Sequence, residues 1–495
     1  MSRGERFARN VSWGIAGQVA IALINLAVIP RLVHGFGVET YALYLLMHAA
    51  AGWIGALHFG VGNGLVRYAA EAQADGRRDA LDDAMRHGLL LLVGGAAAGA
   101  LVLWVAAPSL AGRVFAVPLQ YRAHGVFMIR AAALGAVFAA VTAGACAVFQ
   151  GLHRFHWQTA ASVLQGLLIP LGVLGALTVG RGLGAAAAGF VAVHACVAAF
   201  CAFGLARLRR ELRDGGPRVG FKPFLHYSIG FWPSSLAQLV SGQLDRAFVA
   251  GLRTMSEFTL YAVPAGMLAR LQTLPATASA ALLPVVVGEG KDEHASVARL
   301  YLRASRVLFG LVLPAHALLF ALMPQFLSLW LGGRFGDASV WPARLLVGAQ
   351  AAALLSFLPN AIAAARRDGW WVSAAAWLQA LVCLALWPWM IPKYGLLGAA
   401  LGGFAAQAVA TAAFVAVVHA KLLHLTWARF LRETAPPALA GIAGLLAVVW
   451  PLRTVVTGWP TFCALCAAAG AVYTVLFWRL LPDEDRAFLR ARLPV

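Results

Sequence analysis

Five arginines, Arg31, Arg130, Arg246, Arg270 and Arg344, stand inside or at the edges of long apolar runs in this 495-residue sequence. One carboxylate, Asp245, shares that setting, while Glu39 and Glu257 fall at the ends of such runs. A charge held in hydrocarbon costs on the order of 3 kcal/mol on insertion scales, so each is a functional candidate. Five basic groups against one acid favour an anion. Guanidinium suits phosphate because its planar fork donates two hydrogen bonds at once. Arg270 lies about 12 residues into its run, which at roughly 1.5 Å per residue is near the bilayer centre. The other four fall near the outer ends of theirs, where binding an anion and snorkelling to head groups remain open alternatives. Asp245 offers a charge partner or an ion-coupling group. Arg246 points roughly 100° away from it on a helix, so its expected partner is a basic residue on another span.

Other reactive side chains suggest less. His48, His58, His194 and His316 fall within apolar runs; each could relay protons or simply donate to a backbone carbonyl. The six cysteines, Cys463 and Cys466 included, sit in apolar stretches without further metal ligands nearby, and read as small core residues. Gly60-Val61-Gly62-Asn63-Gly64 looks like a phosphate loop but follows no strand, so close packing or a bend is expected there. Gly288-Glu289-Gly290-Lys291-Asp292 lacks the leading glycine and the hydroxyl residue of a nucleotide loop. No metal motif or nucleophile elbow is present, so neither a cofactor nor a metal is expected. The outward connections are too short to house catalysis, which argues against an enzyme. Neutral polar side chains show no distinctive spacing in this sequence.

The elements that must hold these groups are set by composition. Hydrophobic residues make up 61% of the chain and charged residues 12%, against about 45–50% and 25% for soluble proteins. So little polar surface cannot cover a soluble fold; lipid must be the solvent. The net charge of +19 does not mark a nucleic-acid partner, because the basic residues lie between apolar runs rather than on a soluble module. About 20 apolar residues cross a bilayer as a helix. On that measure an all-α polytopic protein with about fourteen spans is expected, near 11–33, 40–66, 87–107, 124–149, 158–180, 182–205, 224–250, 257–286, 304–331, 341–364, 371–391, 396–419, 436–456 and 459–480. The runs are too long and lack the alternation of a membrane barrel. The polar, basic start leads straight into an apolar run, read as a retained first span rather than a cleaved signal. With that start in the cytoplasm, 27 of the 39 Lys and Arg fall in cytoplasmic connections and 7 on the opposite side. Both termini are therefore expected inside.

A repeat runs through the chain. Gln165, Gly184, Gly189 and Phe190 meet Gln379, Gly398, Gly403 and Phe404 at one offset of 214, and Arg130 meets Arg344 at the same offset. Arg31 pairs with Arg246, and Pro108 with Pro324, at offsets within two of that value. Six spans separate the copies, so both keep one orientation and relate by an axis along the membrane normal. The expected architecture is an N-lobe of helices 1–6 (1–205), a basic cytoplasmic linker (206–223) and a C-lobe of helices 7–12 (224–419). Helices 13–14 and a cytoplasmic tail (420–495) complete it. Two pseudo-symmetric lobes around a central cavity are the arrangement of an alternating-access transporter. Each copy also carries a connection of mixed charge, 70–86 and 287–303, that could form a surface helix.

Asn10-Val11-Ser12-Trp13, the run ETYALYLLMHAAAGW (39–53) and the stretch GVGNGLVRYAAE (60–71) together resemble the opening of the Wzx-type polysaccharide transporters. These flippases belong to the multidrug/oligosaccharidyl-lipid/polysaccharide (MOP) exporter superfamily. The motifs cover roughly the first seventy residues, and beyond them the resemblance rests on span count and repeat. It implies a flippase carrying an undecaprenyl-pyrophosphate-linked oligosaccharide to the outer leaflet of a bacterial inner membrane. A basic cavity would receive the pyrophosphate. Glycosyltransferases or a polymerase of the same pathway are the implied partners, beside the membrane lipids. The pattern matches at Asn10, Trp13, Gly60 and Arg67, with no binding role implied at any of them. A lipid II flippase like MurJ and a cation-coupled MATE-type drug exporter are the alternatives. The second would need buried carboxylates, of which Asp245 is the single candidate.

Overall fold

The computed structural model describes residues 3–490 except 59, 77, 181, 216–217, 274, 277–293 and 367–369. Among the described residues every regular element is helical. The first part runs α1 (Arg3–Phe36), α2 (Val38–Ile54), α3 (Val61–Asp75), α4 (Asp79–Ser109), α5 (Arg122–Gly151), α6 (Phe155–Thr178), α7 (Gly182–Arg209), α8 (Phe221–Ile229), α9 (Trp232–Leu252) and α10 (Met255–Leu268). The second runs α11 (His294–Leu331), α12 (Gly333–Ala338), α13 (Val340–Ala365), α14 (Trp370–Val418), α15 (Trp427–Leu452), α16 (Trp459–Leu480) and α17 (Asp483–Arg490). Among the described residues, ten helical segments are long and apolar enough to cross a bilayer. The chain is a multi-pass membrane protein, as its composition requires.

Three expected spans are interrupted rather than continuous. In 40–66, α2 ends in a 3-10 turn at Gly55–His58, and Gly60 takes a left-handed φ of 67° before α3 begins. In 224–250, α8 stops at Gly230, and α9 restarts with Pro233 in its first turn, where a missing N–H breaks no bond. In 257–286, α10 gives way to a 3-10 turn at Ala269–Gln272, and 277–286 lie outside the described residues. So do Gly288–Asp292 and part of the expected surface helix at 287–303. The spans at 371–391 and 396–419 form α14, which folds back at Gly395 (φ 59°, ψ −135°). Its two arms touch closely: Trp387 Nε1 donates to Ala399 O at 3.2 Å, and a Cβ on Gly398 would lie 2.1 Å from Met390 O.

Packing divides the chain into two units, Met1–Ala262 and Val263–Val495. The division expected from the sequence repeat, at 206–223, differs from this one. In the first unit, α5 lies against α2, α3, α4 and α7, while α8 packs on α3 and α9 on α2. Small residues let these backbones approach: a Cβ on Gly135 of α5 would meet the Phe190 ring of α7 at 2.4 Å. The basic linker is tied to the acidic first turns of α4. Arg209 donates two bonds of 2.6 Å to Asp82, and Asp79 and Asp83 accept from the backbone of Gly215 and Val219. In the second unit, α13 packs on α14, and α11 on α13 and α15. Asp485 of α17 is buried between Arg303 and Arg306 of α11.

The repeat reappears as matched contacts inside each unit. Phe190 packs on Gly135, and Phe404 on Gly348. Arg130 lies over Trp104 at 5.2 Å, and Arg344 over Phe320 at 5.4 Å. Gln165 bonds His194 between α6 and α7, and Gln379 bonds Gln407 between the two arms of α14. The shared offset in the sequence therefore has a physical counterpart in packing.

Gly60 and Gly62 make a direct test of the broken second span. A Cβ on Gly60 would stand 2.3 Å from Ser228 O and 2.8 Å from Phe231 Cβ, on a backbone already left-handed. A Cβ on Gly62 would meet nothing within 4 Å. Gly60→Ala should destabilise the detergent-solubilised protein by about 2 kcal/mol or more. Gly62→Ala should be neutral or slightly stabilising. Equal melting temperatures for the two would contradict the packing described.

Candidate functional site

Two polar regions of the first unit and one of the second hold the candidate residues. In the first unit, α9 carries Asp245 and Arg246. Asp245 Oδ2 accepts a hydrogen bond of 2.9 Å from the Tyr261 hydroxyl of α10, and Oδ1 is buried with no hydrogen-bond partner. Its partner is thus a hydroxyl, and not the expected basic residue of another span. Arg246 donates from Nη1 to Gln243 Oε1 at 3.5 Å, while its buried Nε has no hydrogen-bond partner.

His48 of α2 lies within electrostatic reach of Arg246 and His194. Its ring is set edge-on between Tyr44 (4.7 Å) and Phe190 (5.0 Å). His194 Nδ1 donates to Phe190 O at 2.8 Å, which leaves Nε2 to accept from the Gln165 amide at 2.9 Å. His316 likewise bonds Val312 O at 3.0 Å. For these two rings the backbone-carbonyl role is the one observed. Among the described residues, no group of three His, Cys, Asp or Glu is placed to hold a metal.

The second region is a cavity of about 370 Å³ where the break in the second span meets α4, α5, α6 and α9. Its polar lining comes from His58, Asn63, Gln150, Gln158 and Ser235. None of these side chains is carboxylate, ammonium or guanidinium. Gly55 and Gly62 also line it, and a Cβ on either would enter open space. Sequence reasoning singled out His58 and the glycines, but for other roles. The two glutamines and Asn63 stand on three different helices, so no spacing along the chain joins them.

In the second unit, Arg270 sits in the 3-10 turn after α10, exposed, and beside a bond between Gln272 and Gln350 of α13. Arg344 is occupied: it donates to Phe320 O at 2.9 Å and lies over Trp341 at 5.0 Å. Arg130 has its aromatic counterpart in Trp104, and Arg31 donates to Ala27 O at 3.1 Å within α1. Arg67 pairs with Glu71 at 2.9 Å and covers the Tyr227 ring at 4.5 Å, fastening α3 to α8. Gly60 is likewise a packing residue, and Asn10 and Trp13 fall on α1. The motif positions with described side chains therefore hold the break in the second span together.

The family model described as polysaccharide biosynthesis protein matches residues 81–340. No curated protein matches the chain. Among solved structures, the chain is similar to the lipid II flippase MurJ in an inward closed conformation, with TM-score 0.68 and 11% identity over 94% of this chain and 98% of that one. It is also similar to an inward-facing multidrug resistance MATE family transporter of the MOP superfamily, with TM-score 0.65 and 17% identity over 85% and 99%. A MOP superfamily transporter from Pyrococcus furiosus, described as having a binding pocket of reversed polarity, matches with TM-score 0.58 and 17% identity over 85% and 96%. The chain shares the fold of these structures, which are described as a flippase and as transporters.

The Asp245–Tyr261 bond can be measured. A double-mutant cycle of Asp245→Asn and Tyr261→Phe, read by thermal unfolding in detergent, should give a coupling of about 1–3 kcal/mol, because a buried carboxylate loses its donor. Additivity within about 0.5 kcal/mol would contradict the bond.

Proposed function

The chain belongs to the polysaccharide biosynthesis protein family, and on that premise we propose that it is a flippase for an undecaprenyl-pyrophosphate-linked oligosaccharide. It takes this lipid from the cytoplasmic to the outer leaflet of a bacterial inner membrane by alternating access. Fourteen spans, both termini inside and a duplicated six-helix lobe belong to the same proposal. The pathway's glycosyltransferases would supply the substrate, and a polymerase would receive it.

The observation that carries the reading is the basic balance of the in-span charges, with Arg270 exposed and making no described ion pair. We assign Arg270 as the first candidate for the pyrophosphate. Arg246, whose buried Nε has no hydrogen-bond partner, is the candidate of the first unit; Arg130 Nε likewise has none, but its guanidinium lies over Trp104. Arg31, Arg130 and Arg344 would have to leave their present contacts to meet an anion, which makes them later, outer-end contacts in this scheme. The membrane potential assists. Moving one negative charge outward across about 100 mV, inside negative, gains roughly 2.3 kcal/mol. A cation-exporter reading has one observation in its favour, the buried Oδ1 of Asp245, and a single carboxylate is little to attract and couple a cation.

Arg270→Ala should reduce glycan export at least tenfold in cells that depend on this chain, at unchanged protein level, and Arg270→Lys should restore part of it. Arg344→Gln should leave most export intact. Full export by Arg270→Ala would remove the residue from the mechanism.

A further inference from the structure

The cavity in the first unit bears none of the charge that a phosphate needs, yet it is too polar to be a packing fault. At about 370 Å³ it falls in the size range of small-ligand pockets, about 300–1,000 Å³. Asn63, Gln150 and Gln158 each bring an amide that donates and accepts, and His58 adds a ring that can do both. Ser235 donates its own proton to Phe231 O at 3.1 Å, which leaves its lone pairs free to accept. Neutral groups that donate and accept together match sugar hydroxyl and acetamido groups, which do the same. An anion would instead call for guanidinium or ammonium.

A second observation is steric and independent of polarity. Gly55 and Gly62 face the space with nothing within 4 Å of the position of a Cβ, in a unit where Gly60, Gly64, Gly135 and Gly151 are filled to contact by neighbours. The space is therefore kept open from two sides of the break in the second span. It lies beside the connections 67–86 and 150–157, whose Lys and Arg count in the expected cytoplasmic set.

We infer that this cavity is a sugar subsite: His58, Asn63, Gln150, Gln158 and Ser235 bind a saccharide residue through its hydroxyl and acetamido groups. The inference rests on the flippase reading for the source of the sugar, the head of the lipid-linked substrate, and it sets recognition of sugar apart from recognition of pyrophosphate.

The test uses the full chain in lipid nanodiscs, with undecaprenyl pyrophosphate bare and bearing an N-acetylhexosamine disaccharide as probes. Native mass spectrometry reads retention of each lipid. Peptide-resolved alkylation reads Cys146, which lines the cavity, against the exposed Cys463 of the other unit as internal control. The sugar-bearing lipid should be retained about tenfold better than the bare one and should slow Cys146 alkylation at least fivefold. Gly62→Leu, which projects into the open space, should abolish both differences while bare-lipid retention persists. Gln158→Ala should weaken them without filling the cavity, and so serves if Gly62→Leu lowers the melting temperature. Equal retention of the two lipids by the native chain, or a sugar preference that survives both substitutions, overturns the subsite and leaves the flippase reading standing. If neither lipid is retained, the flippase reading falls, and the free disaccharide decides the cavity: protection of Cys146 supports a sugar site, and its absence overturns one.

Discussion

A polar group left without a partner in hydrocarbon costs several kcal/mol, and the structure is arranged around that constraint. It makes every regular element among the described residues a helix, because a helix satisfies its backbone within itself. It also limits where the chain can break. The interruptions at Gly55–Gly60, Gly230 and Gly395 come at residues that tolerate unusual backbone, with Ser228 and Phe231 closing on Gly60 and the arms of α14 meeting at Gly398 and Met390. The same constraint orders the side chains. His194 is satisfied on both nitrogens by Phe190 and Gln165, Asp245 by Tyr261 on one oxygen, and Arg344 by carbonyl and ring.

Groups that remain incompletely satisfied then stand out, and they divide by chemistry. Arg270 is a cation outside the described ion pairs, and the buried Nε of Arg246 has no acceptor. The cavity beside the second span is neutral and rich in amides. A lipid-linked oligosaccharide presents the complementary division, a doubly charged linkage and an uncharged, hydroxyl-rich head. A cationic drug presents neither, and the one in-span carboxylate already spends an oxygen on Tyr261.

Much of the fold was legible because lipid imposes a coarse rule. Apolar length located α5 to α7, α13 and α16 within a few residues, whereas α1 and α4 begin about eight residues before their expected spans; the near-constant offset paired Arg130 with Arg344, and each lies over an aromatic ring. The breaks were less legible. Apolarity continues through Gly55–Gly60 and Gly230, and only the close approach of Ser228 and Phe231 to Gly60 explains where the second span bends. Among the candidate residues, charge singled out Arg270 from the sequence. Whether an arginine is free or already held by an aromatic ring depends on a neighbour some 25 residues away, as for Arg130 and Trp104. The cavity was invisible, since Asn63, Gln150, Gln158 and Ser235 come from four helices and each is ordinary alone.

The central claim is that this fold moves an anionic glycolipid, and transbilayer transfer tests it most directly. Purified protein would be reconstituted in vesicles with a fluorescent undecaprenyl-pyrophosphate-linked disaccharide, and reductant quenching of the outer leaflet would track the label over time. The account predicts protein-dependent transfer, accelerated by a potential that draws negative charge across and competed by unlabelled glycolipid. Transfer no faster than in protein-free vesicles, together with potential-dependent uptake of a cationic dye by the same preparation, would contradict it.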